Sequence, residues 1–171
     1  EELGKVKDFT TAELENLYHI IGVGALKFFL LRVDPKKKMI FNPEESIDFH
    51  GFTGPFIQFN HARIKSILRK NEIDETVKPS GSFLPLEKEL VVLLERFGTT
   101  VAQANEEMNP AALAIYIYQL SKTFSSFYNE HSIACAETTE KKQLRLMLSR
   151  ATANTIKAGM NLLGIDVPER M

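Results

Sequence analysis

A chain of 171 residues with 44% hydrophobic and 25% charged residues is long enough to bury one ample core. Its net charge of −1 excludes a protein that is basic throughout, and its single cysteine, Cys135, excludes a disulfide framework and a cysteine-cluster zinc site. No signal peptide is visible, and the longest apolar run, Ile20 to Leu31, is too short to span a bilayer, so no membrane partner is expected. The chain opens at Glu1 without a methionine, which predicts a piece of something longer.

In chain order, Thr10 followed by Glu13 has the pattern of a capping box opening a helix that carries Leu14, Leu17, Tyr18 and Ile21. Gly22 and Gly24 lack the rest of a phosphate-binding fingerprint, so close helix packing is the expected role. Pro35 and Lys36 to Lys38 form an exposed loop, and Met39 to Asn42 reads as a short extended segment stopped by Pro43. Asp48 and His50 place a carboxylate near an imidazole, without the further spacing that a metal or acid–base site needs.

Gly51 to Pro55 form a turn, and Pro55 suits the first turn of a helix of about four turns that follows. At about 100° per residue, Ile57, His61, Ile64 and Leu68 share a narrow arc expected to be buried. Phe56, Phe59, Arg63 and Lys70 share a second arc, and Gln58, Ala62, Lys65 and Arg69 make a polar face. Two rings beside two cations are what an unpaired base and its phosphate require, a π-surface and a charge. Two phenylalanines are equally what a second core contact requires, and periodicity leaves both readings open. Four cations and no acid lie between 61 and 70, and six cations against three acids lie between 140 and 171. Such asymmetry suits an anionic partner, and solvated helix faces share it.

Val77 to Ser82 is a linker by composition. A helix then carries Leu86, Leu90, Val91, Leu94 and Phe97 until Gly98, and a shorter one runs from Thr99 to Met108. Ala111 to His131 is the clearest helix, with Leu113, Ile117, Leu120, Phe124 and Phe127 in one stripe and Tyr116 and Tyr128 at its edges. The last helix, from about Glu140 to Leu163, is expected to bury Leu144, Met147, Leu148, Ala151, Thr155, Ala158 and Leu162. At least five helices and little strand signal predict an all-α bundle. No nucleophile with its base, Gly-rich phosphate cradle or metal cluster is visible, so no catalytic or metal-binding residue is predicted.

Several blocks in family order resemble arginyl-tRNA synthetase: Gly22-Val-Gly-Ala-Leu-Lys-Phe-Phe29, Ile40-Phe41-Asn42, Phe49 to Phe59, His61-Ala62-Arg63 and Ser66 to Lys70. The run Leu144-Arg-Leu-Met-Leu148, Lys157-Ala158-Gly159, Leu162 to Ile165 and Pro168 to Met171 is similar to the end of the same family. The class I signatures of the His-Ile-Gly-His and Lys-Met-Ser-Lys-Ser types are not found, so the resemblance implies a C-terminal part without the ATP and arginine site. It implies residues 1–50 as the end of the catalytic domain or a connecting segment, 51–171 as a helical anticodon-binding domain, and a linker near 76–83. It implies tRNA(Arg) as partner and no cofactor in this chain, with arginine, ATP and Mg serving only the longer, cytoplasmic ligase, expected to be monomeric. The residues it implies at the anticodon loop are Phe56, Phe59 and Arg63, with Tyr128 and the terminal Met171; Lys70 joins them from the helical arc. The family often has tyrosine at the positions of Phe56 and Phe59; ring stacking survives that change, and a phenolic hydrogen bond does not. The rival readings are a freestanding RNA- or protein-binding module, a plain helical scaffold and an independent enzyme.

Overall fold

In the computed structural model, which describes residues 9–77 and 82–171, the chain forms seven helices and no strand among the described residues. They are α1 (Thr11–Leu31), α2 (Pro43–Ser46), α3 (Gly54–Lys70), α4 (Pro85–Glu95), α5 (Phe97–Glu106), α6 (Pro110–Glu130) and α7 (Thr139–Leu162). Most of the predicted linker, residues 78–81, lies outside the described residues.

Local chemistry explains where most helices begin. The Thr10 hydroxyl accepts from the Glu13 N–H while the Glu13 carboxylate accepts from the Thr10 N–H, a reciprocal cap on α1. Asn42, Thr53, Asn109 and Thr138 cap α2, α3, α6 and α7, with proline in the first turn of α2, α3 and α6. Helix α7 ends where Gly164, at φ +68°, lets the Ile165 N–H reach the Met160 carbonyl (2.9 Å) and its own N–H reach that of Asn161 (2.9 Å).

Helix α6 is the centre of the bundle, packed by α3, α4, α5 and α7. Its predicted stripe is buried throughout, with Ile117, Leu120, Phe124 and Phe127 fully enclosed. Each such side chain contributes about 1.5–3 kcal/mol relative to an exposed one. Phe28 of α1 and Ile57 and Ile64 of α3 belong to the same core. Helices α1 and α3 approach closely through glycine: a Cβ on Gly54 would lie 2.8 Å from the Gly24 carbonyl oxygen, and one on Gly24 would lie 2.5 Å from Gln58 Nε2. Gly22, by contrast, has open space around it.

Several expectations are corrected. Met39 to Asn42 is loop rather than strand, and Pro43 opens α2 instead of ending a segment. The apolar unit runs back to Thr11, so α1 is long and apolar enough, by length and composition, to cross a bilayer. A third of its apolar window is buried, and Leu17, Ile21, Phe28 and Phe29 face the bundle as in a core helix. Gly98 does not stop α4, which ends at Glu95; it lies in the first turn of α5, where the Thr99 and Thr100 hydroxyls donate to the Arg96 carbonyl (both 2.9 Å). In α7 the buried side is rotated from the predicted one. Leu146, Ser149, Thr152, Ile156 and Met160 face inward, whereas Ala158 and Leu162 are exposed. Three helices wall α7 in, so its inner face is too broad to show as an apolar stripe.

The supposed polar face of α3 is corrected as well: Gln58 and Ala62 are buried, because the segment after α7 lies across them. Gln58 Nε2 donates to the carbonyls of Asp166 (2.8 Å) and Ile20 (3.2 Å), and Arg69 donates to that of Glu169 (2.9 Å). The Glu169 carboxylate pairs with Lys65 at 3.0 Å and Lys157 at 3.2 Å. His61, buried as predicted, donates from Nδ1 to the Pro168 carbonyl at 2.9 Å. Burial pushes the His61 imidazole below its usual value, against the pull of the Pro168 carbonyl and Glu169. The folded state therefore binds this proton less readily than the unfolded one. The stability that follows is fully present above about pH 6.5 and falls as pH drops from there through the lowered folded value. Melting temperatures recorded between pH 7.5 and pH 5 should show this loss, and His61→Gln should remove it; an unchanged slope in the variant would refute the assignment.

Candidate nucleic-acid interface

The side of α3 turned away from the C-terminal segment faces α6, and the residues there separate by role. Phe56 is half-buried and joins a run of rings through Tyr118 (5.5 Å), Phe52 (4.5 Å from Tyr118) and Phe28 (5.5 Å from Phe52). Phe59, one turn on, is 37% exposed and meets Phe49 edge-on at 6.4 Å. The two readings left open by periodicity thus each describe one ring: Phe56 leans on the core, and Phe59 stands at the surface.

Between Phe59 and α6 lies Arg63. Its guanidinium carbon sits 4.6 Å from the centre of the Phe59 ring and 4.9 Å from that of Tyr128, which is 40% exposed. Each such contact is worth about 0.5–2 kcal/mol, more as water is excluded. Asn60 Oδ1 accepts from Arg63 Nη1 at 3.2 Å, while the Asn60 amide donates to the Phe56 carbonyl at 3.1 Å, so a buried amide holds the fork in place. Burial depresses the Arg63 pKa, and no acid pairs with it among the described residues. An arginine remains charged nonetheless. The result is a half-buried cation over two rings, with no counter-charge among the described residues.

Two cavities adjoin this stack. One, of about 520 Å³, is lined by Phe49, His50, Phe56, Phe59, Asn60, Arg63, Ser125 and Asn129. The other, of about 530 Å³, is lined by Arg63, Ser66, Lys70, Tyr128, Asn129 and Ser132 among others. Both fall in the size range of small-molecule pockets. Arg63 and Asn129 line both, and so form the partition between them.

Of the residues singled out in the sequence, the fold therefore gathers Phe56, Phe59, Arg63, Lys70 and Tyr128 at one place. It does not bring Met171 there. The terminal residue lines neither cavity; of the two residues before it, Glu169 lies over the Gln58–His61–Lys65–Arg69 side of α3, about 140° round that helix, and Arg170 sits over the Phe9 ring. Sequence reasoning missed Asn60, Ser125 and Asn129. Ser125 and Asn129 do stand at i and i+4 on α6, a spacing that would have placed them on one face beside Tyr128. His50 lines the cavity, but Asp48 does not act on its ring: Asp48 Oδ1 accepts from the His50 backbone N–H at 2.8 Å. No group of His, Cys, Asp or Glu disposed to hold a metal ion occurs among the described residues, and Cys135 is exposed in the loop before α7.

Comparison with known proteins bears on both the fold and this face. Residues 57–171 match the family model described as the DALR anticodon binding domain. Over the whole chain the sequence is 51% identical to the arginine–tRNA ligase of Flavobacterium psychrophilum, of which it spans 28%, and 47% identical to that of Parabacteroides distasonis, of which it spans 30%. The arginyl-tRNA synthetase of Thermus thermophilus superposes with a TM-score of 0.88 at 32% identity, over 98% of this chain and 29% of that one. The enzyme of Plasmodium falciparum superposes at 0.81 and 25% identity, over 93% and 28%. The chain thus spans less than a third of the length of these relatives. With the helical bundle, the capped α3 and the matched family model all in agreement, the chain belongs to the DALR anticodon-binding domain family.

Proposed function

We propose that this chain grips the anticodon loop of tRNA(Arg) on behalf of a longer arginine–tRNA ligase. The observation that carries the reading is Arg63: a half-buried cation without an acid partner among the described residues, held beside Phe59 and Tyr128 where two cavities adjoin. A charge held this way lacks an anion, and the rings beside it lack a third planar group; an unpaired nucleotide supplies both. Lys70, exposed at the rim of the second cavity, adds a phosphate contact. Residues 1–50 serve as the connecting segment to the catalytic part and 51–171 as the binding domain. Arginine, ATP and Mg are used by that catalytic part, in the cytoplasm and by a monomer.

Titrating the chain with tRNA(Arg) across a range of salt tests the proposal. Affinity should fall steeply with salt, and Arg63→Ala should weaken binding and flatten that slope by about one charge. Met171→Ala belongs in the same titration: it weakens binding if the loop reaches round α3 to the C-terminal segment. Binding that ignores salt, or an Arg63→Ala variant with unchanged affinity and slope, would sink the reading. A plain scaffold gives that outcome.

A further inference from the structure

Resting on that proposed function, we infer that Asn129 is the residue through which this domain tells one anticodon base from another, and that the aromatic–arginine stack is indifferent to base identity. The stack offers π-faces and N–H donors only. Every base has a π-face, so Phe59 and Tyr128 provide grip without choice, and Arg63, its Nη1 already donating to Asn60 and its guanidinium against the two rings, is assigned to charge and stacking rather than to a base edge. Discrimination then falls to a group with hydrogen-bonding capacity unspent on the protein itself where a base edge arrives, and an amide, presenting a donor and an acceptor side by side, suits such an edge.

Asn129 meets each requirement. It stands on α6 one turn beyond Ser125 and, like Arg63, lines both cavities. Its amide makes no hydrogen bond among the described residues, and the side chain is exposed. The other cavity amides are engaged with their own helix: Asn60 holds Arg63 and donates to the Phe56 carbonyl, and Asn71, which lines the second cavity only, donates to the Ile67 carbonyl at 3.0 Å. The Ser125 hydroxyl is also without a partner, but it lines one cavity only, and a freely turning hydroxyl presents a single oxygen that suits any edge. Asn129 therefore stands where a base seated in either cavity would lie beside its amide.

The test uses this chain with the anticodon stem–loop of tRNA(Arg) and every single-base variant of its anticodon, binding being read by fluorescence anisotropy. The wild-type chain should prefer the parent loop. Asn129→Ala should collapse the preference at one anticodon position, where about 5- to 150-fold discrimination is expected from a paired base edge, while the salt slope stays unchanged. Asn129→Gln, which keeps the amide, should restore part of it. Arg63→Ala should do the reverse, weakening all loops together with their ranking intact. Since Asn129 is exposed and makes no hydrogen bond among the described residues, its variants should melt as the wild type does. A ranking unaltered in Asn129→Ala, whether or not overall affinity drops, overturns this inference and leaves the proposed function standing. A wild-type chain that shows no salt-dependent binding to any loop overturns both.

Discussion

Replacing Glu87 with alanine should lower the folding free energy by about 3–5 kcal/mol, the largest stability effect expected of any single polar substitution in this chain. Glu87 is fully buried in α4, and its carboxylate accepts from the Leu84 N–H at 2.9 Å, from Arg145 Nε at 2.9 Å and from Lys141 Nζ at 2.5 Å. Arg145 is almost fully buried too. Its remaining N–H groups reach the Ser132 carbonyl at 2.7 Å and the exposed Glu137 carboxylate at 3.0 Å. Alanine at 87 would leave the guanidinium sealed in the bundle with only a solvent-screened acid nearby, and would also free the first turn of α4 from its cap. Burial alone pushes the Glu87 carboxyl up, but the Lys141 ammonium, the Leu84 N–H and Arg145 together outweigh it and hold the group below the usual carboxylate range. The linked stability is complete above about pH 4.5 and is lost as pH falls through the lowered value. Urea unfolding at neutral pH checks the first point. A loss under 1 kcal/mol in Glu87→Ala would mean that Arg145 escapes to water rather than remaining in the core.

Phe59→Ala should lower the affinity for tRNA(Arg) by about 5- to 150-fold, corresponding to one lost base–aromatic stack. Its effect on folding should be small, because the ring is more than a third exposed and touches the fold mainly through Phe49 and Arg63. The geometry predicts more than a single loss. Arg63 is held by two rings, so Phe59→Ala releases one side of the guanidinium and Tyr128→Ala releases the other. The two substitutions therefore act through a shared partner, and their combined effect should depart from the sum of the single ones by at least 0.5 kcal/mol. In an Arg63→Ala background that coupling should vanish. Titration of the single, double and triple variants with tRNA(Arg) measures it. Strictly additive losses would show that the rings act independently and that the clasp does not matter for binding.

How far the sequence reached follows from the range of the interactions involved. The Thr10–Glu13 cap, the turn at Thr53 to Pro55, the stripe along α6 and the end of α7 at Gly164 are settled by neighbours within about five positions. Each was legible before any coordinates. So was the arc of Phe56, Phe59, Arg63 and Lys70, because helical pitch alone groups them. What that arc faces was not legible.

The amino-acid order by itself determined that this protein is a bundle of capped helices, with its longest apolar stripe on α6 and rings and cations gathered on α3. Only the tertiary structure decided which of those residues act together. Tyr128 closes on Arg63 from another helix, Asn129 lines the same cavities, and Glu87 meets an arginine 58 positions away. The C-terminal segment buries Gln58 and His61, which a helical wheel assigns to a polar and an apolar face. The physical reason is the same in each case. A residue's own turn of helix fixes the direction its side chain takes, but whether that direction ends in water, in the core or beside another charge depends on elements far along the chain, brought there by the burial of the whole.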